Sequence, residues 1–268
     1  MKRDWKAEAV KQWDHDPCGA DGEAPFGSPL FFKRVEEERY DRYAPWMKPV
    51  MGFDRYPGKR VLEVGFGLGT DHVSFARGGA SCFGIDLTPA HIAATRLRLQ
   101  LEGFPVRLSR SDAENLPFAS ESFDLVYSFG VLHHTPGTSR AVEEIHRVLK
   151  RGGEAIVALY HRNSVFFWVS CVLNLGLAKG GFLRDGYRVT LARIERRERS
   201  DAVPLVRVYG RRGARRLFRR FAEVGIEVHH FDFDHAGPLG RLAKPLLGKF
   251  QGAIGRRFGW YLIIRARK

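Results

Sequence analysis

Between residues 59 and 160 the apolar positions fall into short runs, separated by glycine turns and by stretches with helical spacing. Arg60–Val64 reads as a strand and Gly65–Gly69 as a turn, with a helix opening at Thr70-Asp71, both good N-terminal residues. Ser81–Ile85 is the second strand, and Thr88 followed by Pro89 starts the next helix. Val106–Leu108 and Phe123–Ser128 supply the third and fourth strands. A helix over Ser139–Lys150 and the pair Gly152-Gly153 lead into the fifth, Glu154–Tyr160. Strands alternating with helices pair in parallel, so the expected fold is α/β, with a doubly wound, mostly parallel, Rossmann-like sheet.

The flanks have a different grammar. Phe31 to Met47 mixes charged and apolar positions as a helix does, which makes residues 1–58 a helical lead-in to a core at 59–160. Residues 163–178 contain no charge, yet a membrane span needs roughly 20 apolar residues. A buried cap helix is the first reading of this stretch, and a membrane-touching or lipid-lined element the second. The cap insertion after the fifth strand would run over 161–205. Residues 206–268, with a helix over Arg211–Ala222 and strands at Glu227–Phe231 and Trp260–Arg265, would complete seven strands.

Composition narrows the class. A chain of 268 residues, 44% hydrophobic and 12% aromatic, can bury one substantial core and is not a disordered protein. The net charge of +14 is uneven: residues 184–268 hold 21 Lys and Arg against 8 Asp and Glu. Clustered arginine suits the phosphates of nucleic acid or lipid, and equally suits a solvated face. The charged start, Met1-Lys2-Arg3-Asp4, is followed by no apolar run, so a cytoplasmic location is expected. Cys18, Cys82 and Cys171 have no metal-ligand spacing, and no metal is expected. Cys18 invites a nucleophile reading, but no positioned base accompanies it, so a structural use is preferred.

The candidate chemistry begins at Val61-Leu62-Glu63-Val64-Gly65-Phe66-Gly67-Leu68-Gly69-Thr70, a strand ending in an acid and a Gly-x-Gly-x-Gly turn. Such a turn bends sharply and lets its backbone approach a ligand with no Cβ in the way. Dinucleotide enzymes use Gly-x-Gly-x-x-Gly at this place, and that register puts Thr70 where the third glycine belongs. Asp86, at the tip of the second strand, is placed to accept both hydroxyl hydrogens of a ribose. In Ser111-Asp112-Ala113-Glu114, after the third strand, Asp112 can accept from an adenine amino group while Ala113 leaves room for the ring. Phe123–His134 and Val148–Glu154 complete five ordered elements.

As a set over residues 59–160, these elements resemble the class I S-adenosylmethionine-dependent methyltransferases, in the branch that includes ubiquinone and menaquinone biosynthesis enzymes. The resemblance implies S-adenosylmethionine as cofactor. It implies that Glu63 and the turn Gly65-Phe66-Gly67-Leu68-Gly69 surround its methionine part, that Asp86 holds its ribose and that Asp112 and Ala113 meet its adenine, with Thr70, Leu87 and Glu114 as further cofactor contacts. Phe129 and Gly130 would lie beneath the sulfonium. The flanking Trp13-Asp14-x-x-Pro17-Cys18-Gly19 and Gly259-Trp260-Tyr261 resemble a less described bacterial group of such proteins.

A sulfonium is already an activated electrophile, so positioning supplies much of the catalysis and a base is needed only where the acceptor must lose a proton. His134, or its neighbour His133, stands at the carboxyl edge of the sheet as candidate base, with a packing pair as the alternative. Tyr160 and His161 share that rim, and Tyr40 and Tyr43 lie in the lead-in helix; all four are candidate substrate contacts. No Asn/Asp-Pro-Pro-aromatic motif follows the fourth strand, which disfavours nucleobase amines as acceptors. The expected reaction is methyl transfer to a small-molecule or lipid-like acceptor, with peripheral membrane contact left open. An RNA or protein methyltransferase docking through its basic C-terminal third, and a non-catalytic cofactor-binding module, are the alternatives.

Overall fold

The computed structural model describes residues 3–17, 19, 24–195 and 201–268, so Cys18 lies outside the described residues. Seven strands form one sheet: β1 (Arg60–Val64), β2 (Ser81–Asp86), β3 (Leu108–Arg110), β4 (Phe123–Phe129), β5 (Leu149–Tyr160), β6 (Glu223–His229) and β7 (Tyr261–Arg267), in spatial order 3-2-1-4-5-7-6. The first five are parallel, whereas β7 runs antiparallel between β5 and β6. The order reverses between β1 and β4, and a crevice opens at such a reversal, beyond the carboxyl ends of the strands. The central strands are buried on both faces: Leu62, Leu125, Val126 and Ile264 are inaccessible to solvent.

Several boundaries depart from the sequence reading for identifiable reasons. The helix expected over Phe31–Met47 is divided. Ser28 Oγ accepts from the Phe31 N–H at 3.1 Å and caps α2 (Pro29–Glu37), which passes into a π-helical turn, Glu38–Tyr43. Ala44 then leaves helical geometry (φ −137°, ψ 63°), because Pro45 disfavours the α region in the residue before it. The third strand starts at Leu108, since Val106 lies exposed beyond the edge of the sheet. The sixth spans Glu223–His229 instead of Glu227–Phe231: positive φ at His230 (69°) turns the chain out of the ladder. The helix from Arg211 stops at Leu217, after which a turn sends both Phe218 and Phe221 into the core. Arg211, Arg212, Arg215, Arg216, Arg219 and Arg220 are all exposed, as an amphipathic reading requires.

Three stretches of helix were not foreseen. The first is α1 (Trp5–His15), whose cap is the Asp4 side chain accepting from the N–H groups of Lys6 and Ala7. A pair of short helices covers 181–192, and two more lie within 237–258. The uncharged stretch forms a helix, Phe166–Ala178, with Phe167, Cys171 and Gly176 buried, while Trp168, Leu173 and Leu177 are exposed. It is a cap against the body with an apolar outer side. Among the described residues, no helix is long and apolar enough to cross a membrane.

Leu62 sits at the centre of β1 with no solvent exposure. Leu62→Ala should lower unfolding stability by about 2–5 kcal/mol, the cost of lost burial plus the cavity left behind. Denaturant titration followed by circular dichroism checks this; an unchanged midpoint would place Leu62 outside the cooperative core.

Candidate functional site

A cavity of about 530 Å³ opens at the strand-order reversal. Its two ends are built from different parts of the chain. One end is formed by the turn after β1 and the tips of β2 and β3. The other is lined by Trp13, Tyr43, Phe129, Tyr160, Phe166, Trp260 and Tyr261, with His134, Glu195 and His235 among them.

At the first end the three glycines of the turn do different jobs. All have positive φ (78°, 54° and 74° for Gly65, Gly67 and Gly69). A Cβ on Gly65 would come within 2.2 Å of Val131, and one on Gly69 within 2.7 Å of Thr95, so these two permit close packing of protein on protein. A Cβ on Gly67 would meet nothing within 4 Å, and Gly67 lines the cavity. Gly69 does not line it, a departure from its expected cofactor contact.

Asp86 fixes this turn. Its Oδ2 accepts from the Gly67 N–H at 3.1 Å, its Oδ1 from the Thr88 N–H at 2.9 Å, and His91 Nδ1 lies 3.3 Å from both oxygens. Burial alone would raise its pKa, but the His91 bond and charge and the two N–H groups hold the carboxyl below its usual range. Glu63 is also buried, with His72 Nδ1 at 3.1 Å. Burial, reinforced by the nearby Asp71 and Asp86 charges and opposed by Arg39, pushes the Glu63 carboxyl well above the ordinary range. Phe66, Thr70, Leu87, Ala113 and Gly130 line the cavity too.

Asp112 reaches the rim, with Oδ1 accepting from the Glu114 N–H at 2.9 Å and Oδ2 held by Lys6 of α1. Lys6 also lies 3.2 Å from Glu114. Glu114 itself does not line the cavity: its Oε1 accepts from Thr135 Oγ1 at 2.8 Å and the Gly137 N–H at 2.9 Å, which turns it toward the start of α6 (Thr138–Val148). The structure thus does not bring this expected cofactor contact to the cavity surface.

At the second end, His134 and His133 are separated by their packing. The His134 ring lines the cavity, and its Nδ1 lies 2.7 Å from the Leu205 carbonyl, which can only accept. Nδ1 therefore carries the proton and Nε2 is left with its lone pair free. Burial lowers the His134 pKa, against a smaller opposing effect of the Glu195 charge. His133 is fully buried under Tyr160, ring centroids 3.6 Å apart, and is not at the cavity surface. Tyr160 lines the cavity, donates to Glu195 Oε1 at 2.7 Å and stacks on Trp260 at 4.2 Å. Tyr43 also faces the cavity, its hydroxyl 2.6 Å from that of Tyr261.

The other two substrate candidates are not brought there. His161 is buried, with Nδ1 3.0 Å from the Gly259 carbonyl. Tyr40 is buried with its hydroxyl donated to Asp71 at 2.7 Å. Alternation explains the first: Tyr160 and His161 are adjacent, so only one can face the cavity. Glu195, Phe166, Arg39 and His235 went unassigned in the sequence, because none belongs to a motif and each reaches the cavity only through the packing of flanking segments. No group of three His, Cys, Asp or Glu among the described residues could hold a metal ion.

Comparison with known proteins agrees with this geometry. Residues 62–157 match the family model described as a methyltransferase domain. These residues are a class I S-adenosylmethionine-dependent methyltransferase domain. The chain is 43% identical over 114 residues to a phthiotriol/phenolphthiotriol dimycocerosates methyltransferase of Mycobacterium leprae, covering 41% of this chain and 42% of that protein. It is 37% identical over 117 residues to a ubiquinone biosynthesis O-methyltransferase of Hahella chejuensis, covering 43% and 49%. The chain thus spans less than half the length of these two curated relatives. Among solved structures, a S-adenosylmethionine-dependent methyltransferase of Methanosarcina mazei superposes with TM-score 0.56 at 18% identity, over 82% of this chain and 97% of the other. The [4+2]-cyclase SpnF shares the fold as well, at TM-score 0.51 and 18% identity over 95% and 86%.

S-adenosylmethionine is the cofactor such a domain takes, and the methyltransferase cavity fits it. The Cβ-free surface of Gly67 leaves room for close approach, Asp86 remains ionised beside it, and the cavity-lining His91 has a buried Nε2 with no hydrogen-bond partner. Asp86→Ala should weaken binding of S-adenosylhomocysteine by about 1–3 kcal/mol, since partners of a buried carboxylate are left unsatisfied. Calorimetry returning wild-type affinity for a folded variant would remove Asp86 from the site.

Proposed function

We propose that this protein transfers a methyl group from S-adenosylmethionine to a small-molecule or lipid-like acceptor held by the aromatic end of the cavity. The observation that carries this reading is the continuity of the two ends. One cavity joins the glycine turn and Asp86 to a wall of aromatic rings that includes Phe129. Apolar lining with a few convergent polar groups is the usual composition of a small-molecule site. The lipid methyltransferase and ubiquinone O-methyltransferase among the relatives support an acceptor of this kind. A cytoplasmic location belongs to the same proposal.

When bound, S-adenosylmethionine supplies a methyl group on a positively charged sulfur that is ready to leave. The residues of this chain then have three tasks. Tyr43, Phe129, Tyr160 and Trp260 hold an apolar acceptor and exclude water. Glu195, anchored to the Tyr160 hydroxyl, orients a polar group on that acceptor. His134 Nε2 is placed to take the proton that a hydroxyl or amine acceptor would lose when it is methylated.

The exposed arginines from Arg211 to Arg220 favour a second reading, methylation of RNA or of a protein docked on that face. None of them lines the cavity, which places them second. Salt-stable RNA binding that is lost when they become glutamates, together with RNA methylation, would reverse that ranking. The cyclase with the same fold shows that such a scaffold also serves other chemistry, and a protein that binds the cofactor without turnover on any fractionated extract would fall in that class.

Burial lowers the His134 pKa from its ordinary value. Activity that uses it as general base is expected to hold above that lowered pKa and to fall as pH drops through it. His134→Ala should reduce turnover about 10²–10⁴-fold with cofactor affinity nearly intact. Wild-type turnover in that variant, measured with labelled cofactor and an accepted substrate, would return His134 to a packing role.

A further inference from the structure

The antiparallel strands β6 and β7 are adjacent in register, with His229 opposite Tyr261 and the Trp260 N–H donating to the His230 carbonyl at 2.7 Å. A tight turn would suffice to join them. The chain instead leaves the sheet over residues 230–260 and builds helices Gly237–Leu247 (α10) and Gln251–Phe258 (α11). This detour buries little of itself. Leu242 is 74% exposed and Leu246 78%, and Leu247, Phe250 and Phe258 are exposed as well. Exposed leucines on a helix that packs so lightly contribute nothing to the core.

Their company is cationic. Arg241 and Lys244 on α10, Lys249 in the turn between the helices, and Arg256 and Arg257 on α11 are exposed, and no acidic residue occurs from 235 to 268. On α10, Leu242 and Leu246 are one turn apart and share a stripe, while Arg241 and Lys244 share another. Beside it, Ser170 of the cap helix donates to the His235 carbonyl at 3.0 Å, and that helix adds exposed Trp168, Leu173 and Leu177. Phe166 and His235, where the two segments meet, both line the cavity.

We propose that the α10–α11 excursion, with the outer side of the cap helix, is a docking surface for an anionic lipid bilayer. Leucine and aromatic side chains enter the headgroup boundary while lysine and arginine meet lipid phosphates; interfacial helices bind by this combination. Negative charge is what the basic residues require, and an apolar phase is what Leu242 and Leu246 require. Only a bilayer surface of anionic lipid offers both over two helices. This docking goes beyond the proposed reaction and does not depend on it, though it places the aromatic end of the cavity beside the membrane.

The test uses the full chain and vesicles of phosphatidylcholine with or without phosphatidylglycerol. Co-sedimentation with the phosphatidylglycerol vesicles is expected, weakening as salt rises. Lys244→Glu with Lys249→Glu should reduce it about tenfold or more, as should Leu242→Asp with Leu246→Asp. Both pairs change exposed side chains, so unfolding midpoint and S-adenosylhomocysteine affinity should stay at wild type and report that the fold is intact. Failure to bind phosphatidylglycerol vesicles, or equal binding to both compositions, would overturn the proposal. So would a solution dimer abolished by the leucine pair, which would assign the face to a second copy. RNA retention by these lysines at physiological salt without vesicle binding would overturn it in favour of nucleic acid.

Discussion

The buried carboxylate of Asp71 holds the two parts of the cavity wall together. It receives the Arg39 guanidinium through two nitrogens, the Tyr40 hydroxyl at 2.7 Å and the Tyr127 hydroxyl at 2.7 Å. These donors come from the lead-in helix and from β4, and Asp71 itself opens α4 (Thr70–Arg77). A buried charge is tolerable only with such full pairing, and removing any donor would leave a desolvated group behind. The consequence is geometric: Arg39 is held 4.8 Å from the Phe129 ring, and Tyr43, one turn further along the lead-in, is delivered to the aromatic end.

Around that anchor the cavity is closed by segments that bring little order of their own. The lead-in helix α1 crosses the rim through Lys6 on Asp112 and Glu114, and Trp13 packs on His134 with centroids 4.7 Å apart. Gln12 Nε2 donates to the Glu195 backbone carbonyl at 3.0 Å, linking α1 to the segment after the cap. The aromatic end of the cavity is therefore assembled from stretches distant in sequence. Its shape rests on how these pack, while the glycine-turn end rests on one strand–turn–helix unit and the neighbouring strand tip.

The fold and the cofactor end were legible because their causes are local. A Gly-x-Gly-x-Gly run suits a turn with positive φ, and an acid at the tip of β2 lies at the crevice edge of a parallel sheet. The aromatic end was legible only in part. Of the residues expected as base or substrate contacts, Tyr43, Tyr160 and His134 line the cavity, but Tyr40, His161 and His133, adjacent or nearly adjacent to them, turn into the core. One residue's difference in helix phase or strand alternation reverses the direction of a side chain, and neighbouring residues of similar type carry no local mark of which one turns inward.

The sequence by itself determined the α/β alternation, the parallel core and the residues of the glycine turn, because propensity, capping and strand pairing act over a few neighbouring positions. It also set the solvent-facing placement of Arg211, Arg212, Arg215 and Arg216, through simple helical periodicity. Tertiary structure alone decided that Glu114 would be spent on Thr135 and Gly137, that Gly69 would face Thr95, and that Glu195 would reach Tyr160. It also decided that residues 237–258 would stand between two strands already in register and leave their leucines uncovered. Those outcomes depend on contacts between segments far apart in the chain, and no local pattern carries the energy of a contact whose partner lies a hundred residues away.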